Sequence, residues 1–287
     1  MKHYTRFRAY QLGTCGASFS LSVNNYFILI EARYNDVNSS HILWELNERC
    51  EKERIDLLHI TSWDADHCNA IELERILDEL KPLFIEYPSY APHTDNAQKA
   101  LKLIQNYHDG DNCPITPARV KSSTKEPLKG VDVFYNPLCQ YTSTSNDKSI
   151  IKFFRIGSFT VLSLGDCEET SIRDRLINDI ILKSEVDVLI LAHHGADNGF
   201  TTSEFLEAIK PKVAICASDY GNKYGHPDSV ILQRLREVGV DYYSTKTGDV
   251  VAQSIDKYTF KVSNYCANNT TLKNIKTYEN KTWYIID

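Results

Sequence analysis

The chain has 287 residues, of which 42% are hydrophobic and 24% are charged, and its formal net charge is −6. Such a composition is typical of a globular protein with enough apolar residues for a core. The acidic balance excludes a protein held on nucleic acid mainly by bulk positive charge. No apolar stretch reaches the roughly 18–20 residues of a membrane span, and residues 1–6 show no signal-peptide pattern. We therefore expect a cytoplasmic protein with no membrane partner.

The eight cysteines are scattered, and none belongs to a Cys-x-x-Cys pair. This spacing argues against a zinc ribbon and against a thioredoxin-type redox site. A secreted disulfide scaffold would be shorter and richer in cysteine. Most of the cysteines are therefore expected to be buried thiols in a reducing compartment.

Apolar runs bounded by polar and turn residues predict strands along most of the chain. Residues 19–23 and 26–32 flank Asn24-Asn25, which predicts a hairpin. Further strands are predicted at 55–61, 84–87, 131–135, 149–155, 159–163, 186–192 and 213–217. Apolar residues at helical spacing lie between them, at 70–80, 101–104, 205–209 and 231–238. Strands that alternate with helices place the chain in the α/β class.

One main domain is predicted over residues 1–263. Within it, residues 88–130 mix a helix with stretches rich in Pro, Ser, Thr and Lys, and are interpreted as a variable insertion or a cover over one face. Residues 264–287, rich in Asn, Lys and Thr, are interpreted as a C-terminal tail of uncertain order.

The strongest chemical signal is the segment Thr61-Ser62-Trp63-Asp64-Ala65-Asp66-His67. It follows an apolar strand and precedes a helix, so its carboxylates and its imidazole lie in a turn that can aim them at one point. Such groups are ligands for zinc, manganese or iron. Taken alone, the segment is equally well interpreted as a solvated acidic turn in which Asp66 caps the helix.

Three more segments place polar residues just past the end of a predicted strand. These segments are Gly165-Asp166, His193-His194-Gly195 and the loop that carries Lys223, Tyr224 and His226. Each is an ordinary turn or surface loop when taken alone. Ligand sites of α/β proteins, however, collect at the carboxyl ends of strands. Together with the 61–67 segment, these residues predict one metal site.

In this order, the motifs resemble those of the metallo-β-lactamase superfamily, and within it those of the hydrolase domain of the DNA-uptake channel protein ComEC and its stand-alone soluble relatives. The resemblance covers residues 11–250 and rests on Leu29-Ile30-Glu31, Ser62–His67, Asn146-Asp147-Lys148-Ser149, Gly165-Asp166, His193-His194-Gly195 and Tyr224-Gly225-His226-Pro227. The family's signature is His-x-Asp-x-Asp-His. Ser62 stands here in place of its first histidine.

The resemblance implies an αββα sandwich, in which two sheets face each other, helices cover the outer faces and a metal site lies at one edge. The implied ligands of one ion are Asp66, His67, a bridging Asp166 and one of His193 and His194, while Asp64 faces a second ion. A serine hydroxyl is a poor zinc ligand. We therefore expect Zn²⁺ or Mn²⁺ to be held firmly at one position, with a second position that is weakly held or empty.

The resemblance also implies a metal-dependent hydrolase, and for the ComEC-like branch a nuclease or phosphodiesterase that acts on DNA or another nucleic acid. The candidate catalytic residues are Asp64, Asp66, His193 and His226, and the candidate substrate contacts are Lys223, Tyr224 and His226. Six basic residues offer a local patch for nucleic acid, with ordinary solvated surface as the alternative: Lys148, Lys152, Arg155, Lys210, Lys212 and Lys223.

Two other functions stay open at this point. The loss of the motif histidine at Ser62 also fits a degenerate protein of this fold that serves as a binding or regulatory subunit of an unidentified partner protein. A narrow pocket covered by residues 88–130 would instead favour a hydrolase of small molecules, such as cyclic nucleotides, other phosphodiesters or lactones. Metal content after purification separates a subunit from an enzyme.

Overall fold

The structure is a computed structural model that describes residues 4–111, 113–117, 133–135, 144–267 and 270–281. The strands are β1 Thr5–Ala9, β2 Phe19–Val23, β3 Tyr26–Ile30, β4 Leu57–His59, β5 Phe84–Tyr87, β6 Ile115–Pro117, β7 Val133–Tyr135, β8 Ile151–Phe154, β9 Val161–Ser163, β10 Val188–Ile190, β11 Val213–Cys216, β12 Asp241–Ser244, β13 Val250–Ser254, β14 Thr259–Tyr265 and β15 Leu272–Glu279.

The helices are α1 Ser39–Trp44, α2 Ala70–Arg75, α3 Asp95–Asp111, α4 Thr170–Ile177, α5 Ile180–Glu185, α6 Ser203–Ile209 and α7 Ser229–Val238. Short π-helical segments, Glu45–Arg49 and Ile76–Leu80, continue α1 and α2. No helix within the described ranges combines the length and the apolar character needed to cross a membrane.

Two sheets form the centre of the fold. In the part of the chain that the structure describes, the first sheet has nine strands in the order β15-β14-β13-β1-β2-β3-β4-β5-β6, and the second has six in the order β12-β11-β10-β9-β8-β7. Strands β3 to β6 run parallel, as do β9 to β12. The predicted hairpin is present as β2 and β3, which pair antiparallel around Asn24.

Neighbouring residues of one strand pack in different hydrophobic cores, because successive side chains point to opposite faces of a sheet. In β3, Ile28 faces the second sheet, whereas Leu29 packs with the outer helices α1 to α3. In β10, Val188 faces the first sheet, whereas Leu189 packs with α4 to α7. The layers are therefore helices, sheet, sheet and helices, which confirms the predicted αββα sandwich.

Residues 88–117 extend the first sheet. Helix α3 connects β5 to β6, and β6 pairs parallel with β5 at the edge of the sheet. Ala97, Ala100 and Ile104 of α3 belong to the same core as α1 and α2. This part of the predicted insertion is thus a strand–helix–strand unit of the sandwich rather than a separate cover. Residues 118–130 lie outside the described ranges.

The boundary predicted at residue 263 falls inside β14. The following residues, 272–279, form β15, which pairs antiparallel with β14 and ends the first sheet. All of β15 except Tyr278 is exposed. An edge strand of polar residues lacks the apolar alternation that marks a strand in sequence, which explains the interpretation as a tail. Residues 282–287 lie outside the described part of the chain.

Candidate metal centre

The first part of the site is the turn between β4 and α2. The Asp64 carbonyl closes this turn by accepting the amide N–H of His67 at 2.9 Å. Asn69 then caps α2, because its side-chain oxygen accepts two amide N–H groups of the first helical turn. Asp66 is therefore not the cap of this helix, and the alternative interpretation of the segment is wrong. The side chains of Asp66 and His67 face the second sheet instead.

Asp166 comes from the second sheet, just after β9. Gly165 precedes it with φ +54°, and a Cβ atom at this glycine would lie 2.9 Å from the Ser149 Cβ. Only glycine fits this turn without strain, as the sequence predicted. The turn leaves Asp166 3% exposed, in the space between the two sheets.

The two adjacent histidines lie in a tight turn rather than in an extended chain. His193 and His194 have left-handed backbones, with φ 44° and 52°, a conformation that is uncommon for residues other than glycine. The turn separates the two rings. His194 Nε2 points toward Asp66 and Asp166, whereas His193 Nδ1 forms a short contact with Glu168.

Four side chains from these three turns converge on one point. Asp66, His67, Asp166 and His194 each offer one ligand atom, and these atoms all lie within 4.8 Å of one another. His67 Nε2 lies 2.9 Å from Asp166 Oδ1, and His194 Nε2 lies 3.6 Å from Asp66 Oδ2. Of the predicted metal ligands, Asp64 and His193 lie outside this group.

The donor set fits a metal ion. His67 Nε2 and His194 Nε2 are buried, and neither has a hydrogen-bond partner. The close approach of His67 to Asp166 therefore lacks the geometry of a hydrogen bond. Buried polar atoms are normally paired, so two unpaired nitrogens beside two carboxylates match the ligands of a divalent cation. Two nitrogen and two oxygen donors suit Zn²⁺ or Mn²⁺.

Both histidines of the group are fixed through their other ring nitrogen. His194 Nδ1 lies 2.7 Å from the Ala217 carbonyl, which follows β11. A carbonyl can only accept, so Nδ1 carries the proton and Nε2 presents its lone pair to the site. His67 Nδ1 lies 3.2 Å from Glu31 Oε1. Such supporting contacts orient metal ligands and raise their basicity.

The charges of the group are strongly coupled. Burial alone would lower the pKa of His67, but Asp166 and Glu31 raise it well above the usual value. Burial likewise opposes the raised pKa of His194, for which the charge of Asp166 and the contact with Asp66 are responsible. Burial would raise the pKa of Asp166, but the charges of His67 and His194 hold it below its usual value. The carboxylates of the group therefore favour positive charge at the position between them and the two imidazoles.

The predicted substrate contacts form a rim beside the cluster. The His226 ring lies 5.9 Å from the His193 ring and stacks at 5.7 Å on the Tyr224 ring. Lys223 Nζ lies 4.8 Å above the Tyr224 ring, and both of these side chains are exposed. The rim is tied to the histidine turn, since the Asp228 amide donates to the Gly195 carbonyl at 2.9 Å.

Three residues of the site were not predicted as functional: Glu31, Tyr90 and Glu168. Glu31 directly follows β3, the second strand of the predicted hairpin, and its carboxylate contacts His67. Glu168 follows Asp166 by two residues, but nothing in a single sequence indicates which histidine it contacts. Tyr90 lies in the segment interpreted as a cover, and its hydroxyl lies 3.2 Å from the Ser62 hydroxyl.

Two of the six residues considered for a basic patch are buried. Lys152 is fully buried and forms an ion pair with Glu86 at 2.8 Å. Arg155 is 3% exposed and pairs with Glu185 at 2.7 Å. Both lie at β8, inside the sandwich, so they stabilise the fold from within and are absent from any surface for nucleic acid.

The sequence is similar to that of two competence-related proteins. It is 24% identical over 185 residues, 64% of this chain, to ComE operon protein 3 of Bacillus subtilis (strain 168), and the match covers 22% of that protein. It is 30% identical over 142 residues, 46% of this chain, to Competence protein ComA of Neisseria gonorrhoeae, covering 20% of it. The chain thus spans about a fifth of the length of these curated relatives. No family model matches it.

The fold is similar to that of Igni18, a metallo hydrolase from the hyperthermophilic archaeon Ignicoccus hospitalis KIN4/I. The TM-score is 0.51 at 13% identity, and the match covers 86% of this chain and 98% of that one. The αββα sandwich of the described residues is thus similar in fold to this metallo hydrolase, and the sequence is similar to ComE operon protein 3 and Competence protein ComA.

Proposed function

We propose that the chain is a metal-dependent hydrolase in which Asp66, His67, Asp166 and His194 hold one divalent cation. The proposal is carried by the convergence of these side chains, with two buried imidazole nitrogens that have no hydrogen-bond partner. The cavity lined by His67, Asp166 and His194 has a volume of about 10 Å³. By this measure the space admits about one water-sized group.

A cation held by these four residues would make hydroxide available at neutral pH, because it would lower the pKa of a bound water from about 15.7 to about 7. The residues of the chain then bind and orient the substrate. Asp66 has a one-third exposed side chain, so it is the carboxylate of the group that faces the solvent. His193 and His226 lie on the rim, where their rings can contact the oxygens of a scissile ester.

The substrate proposed is the phosphodiester of a nucleic acid. The reacting ester is proposed to lie on the rim, where the side chains of Lys223 and Tyr224 are exposed. Two tyrosines of the rim loop, Tyr220 and Tyr224, are 78% and 68% exposed, and Lys223 lies beside them. Proteins that bind single-stranded nucleic acids stack the bases on exposed aromatic rings and contact the phosphates with nearby cationic side chains. The cytoplasmic location expected from the sequence is likewise proposed.

A comparison of the wild type with Asp166→Asn tests the proposal. Both proteins would be assayed with single- and double-stranded DNA, RNA, cyclic dinucleotides and a lactone, each in Mn²⁺, Mg²⁺ and Zn²⁺. We expect phosphodiester cleavage in the wild type and its loss in Asp166→Asn. Activity confined to cyclic dinucleotides or the lactone would instead favour the small-molecule hydrolase.

A regulatory or binding subunit is the second candidate, and Ser62 is the observation that favours it. In that case the purified wild type would hold no metal ion, and no substrate would be cleaved above the level of Asp166→Asn. A metal-loaded protein without any hydrolytic activity would also refute the hydrolase.

A further inference from the structure

Tyr90 organises the Asp64 side of the site. Its hydroxyl lies 3.2 Å from the Ser62 hydroxyl, and the Ser62 hydroxyl in turn donates to Asp64 Oδ2 at 3.2 Å. Ser62 holds the position of the missing motif histidine. The Tyr90 phenol therefore lies where the larger imidazole of a histidine would have to fit.

Trp63 holds Tyr90 in this place through two hydrogen bonds. The Trp63 amide N–H donates to the Tyr90 hydroxyl at 3.1 Å, and the Trp63 indole N–H donates to the Tyr90 carbonyl at 2.9 Å. Trp63 itself is 2% exposed. Movement of Tyr90 would leave two buried donors unpaired, which is unfavourable. Tyr90 is thus fixed against the turn between β4 and α2, and it is not easily displaced by an imidazole at position 62.

The hydrogen bonds also determine where each hydroxyl proton points. A hydroxyl group has one proton to donate. Ser62 donates its proton to Asp64, so it accepts the proton of Tyr90. The Tyr90 oxygen accepts from the Trp63 amide at the same time. One oxygen of Asp64 is therefore engaged within its own turn rather than directed at a cation.

A positive charge lies on the same side. Lys148 Nζ is 5.7 Å from the centre of the Tyr90 ring. Like charges repel more strongly near a protein surface than in bulk water. An ammonium group beside Tyr90 therefore disfavours a second divalent cation there, in addition to the missing imidazole and the engaged Asp64 oxygen.

We propose that Tyr90 and Ser62 close the Asp64 side of the centre, so that the chain binds one divalent cation where the family's signature implies two. This inference rests on the proposed metal centre and is independent of the substrate. Tyr90 acts as a positioning residue, because it holds Ser62 and, through it, Asp64.

The number of Mn²⁺ ions bound per chain tests the inference. Free Mn²⁺ would be followed by electron paramagnetic resonance during titration of the wild type, Ser62→His and the double variant Ser62→His with Tyr90→Ala. Thermal unfolding checks that each variant is folded. We expect one ion in the wild type and one in Ser62→His, whose imidazole clashes with the phenol. We expect two ions in the double variant, which has both the ligand and the space.

Two matched combinations guard against an unfolded double variant. Ser62→His with Tyr90→Phe removes only the hydroxyl that blocks the position, and is expected to bind a second ion with lower affinity than the alanine combination. Ser62→His with Tyr107→Phe is the control, because the Tyr107 hydroxyl donates to the Pro82 carbonyl, outside the site. This control is expected to bind one ion.

Two ions in the wild type, or in Ser62→His alone, would overturn the inference. One ion in both Tyr90 combinations would overturn it as well, since Tyr90 would then not be the barrier. A wild type that binds no metal would refute the centre itself. A protein that binds one ion but cleaves no phosphodiester would refute the proposed substrate and leave this inference standing.

Discussion

His67 Nε2 lies 2.9 Å from Asp166 Oδ1, and this contact joins the two sheets of the sandwich. His67 follows β4 of the first sheet, whereas Asp166 follows β9 of the second. Because both side chains are almost fully buried, their charges interact with little screening by solvent. A metal ion bound at this point would be held by residues of both sheets.

Asp166→Asn keeps the shape of the side chain but removes its negative charge. We expect the affinity for Zn²⁺ to fall by more than about 100-fold, since loss of a mere supporting partner already costs 10–100-fold. Isothermal titration calorimetry measures the change. Asp36→Asn, at a side chain that is 97% exposed, is the control. Equal affinity in Asp166→Asn and the wild type would contradict the assigned centre.

The adjacent histidines form a natural matched pair. His194→Ala removes a side chain whose Nε2 lies 3.8 Å from Asp166 Oδ1, and we expect it to abolish firm metal binding. His193→Ala removes a ring that contacts Glu168 instead, and we expect it to keep the metal ion while hydrolysis declines. Elemental analysis of the metal content of both purified variants shows which histidine is the ligand. The reverse pattern would mean that His193 is the ligand.

Metal affinity is expected to rise with pH. The pKa values of His67 and His194 are raised in the metal-free protein, and a metal ion binds only the neutral imidazole. Below those pKa values binding must release protons, so affinity falls as the pH drops, with a slope of up to about two protons per ion. The carboxylates add little, because the pKa of Asp166 lies below its usual value.

Calorimetry in buffers of different ionisation enthalpy counts the protons that are released. Binding without proton release near neutral pH would show that the two imidazoles are already neutral. The charge coupling described for the site would then be wrong.

Glu31→Gln tests the support of His67. The carboxylate oxygen lies 3.2 Å from His67 Nδ1, and an amide of the same shape lacks its charge. We expect metal affinity to fall about 10–100-fold, the usual effect of losing such a partner. Glu74→Gln, at an exposed residue of α2, is the control. An unchanged affinity would assign Glu31 a purely structural role.

Asn69→Ala removes the cap of α2, the helix that follows the metal-binding turn. We expect the free energy of unfolding to fall by about 1 kcal/mol. Urea denaturation of the metal-free protein measures it. Asn274→Ala, at an exposed residue of β15, is expected to change it far less.

The architecture and most of the centre could be predicted from the sequence. Apolar runs that end in Asp or His marked the turns carrying Asp66, His67 and Asp166, and the motif order indicated the sandwich. The choice between His193 and His194 could not be made, because it depends on two consecutive left-handed residues. Sequence patterns indicate extended or helical backbone but not such turns.

Contacts between distant segments could not be predicted either. Tyr90 lies just after β5, and only the fold brings its hydroxyl to Ser62, which lies 28 residues earlier in the chain. Lys152 and Arg155 were considered for a surface patch, because a basic side chain usually lies at the surface. The sequence does not show that Lys152 pairs with Glu86 and Arg155 with Glu185 inside the fold. Burial of paired charges is a property of the assembled sheets.

The origin of the four ligands in both sheets has a consequence for assembly. Asp66 and His67 precede Asp166 and His194 by 99 to 128 residues of chain, so neither part of the chain possesses a complete chelating set. Firm metal binding would therefore require that the two sheets have docked. A fragment that ends before β9 would not bind the ion firmly. After cleavage between His67 and β9, remixing would restore metal binding only if β13–β15 pair again with β1 and the two sheets dock.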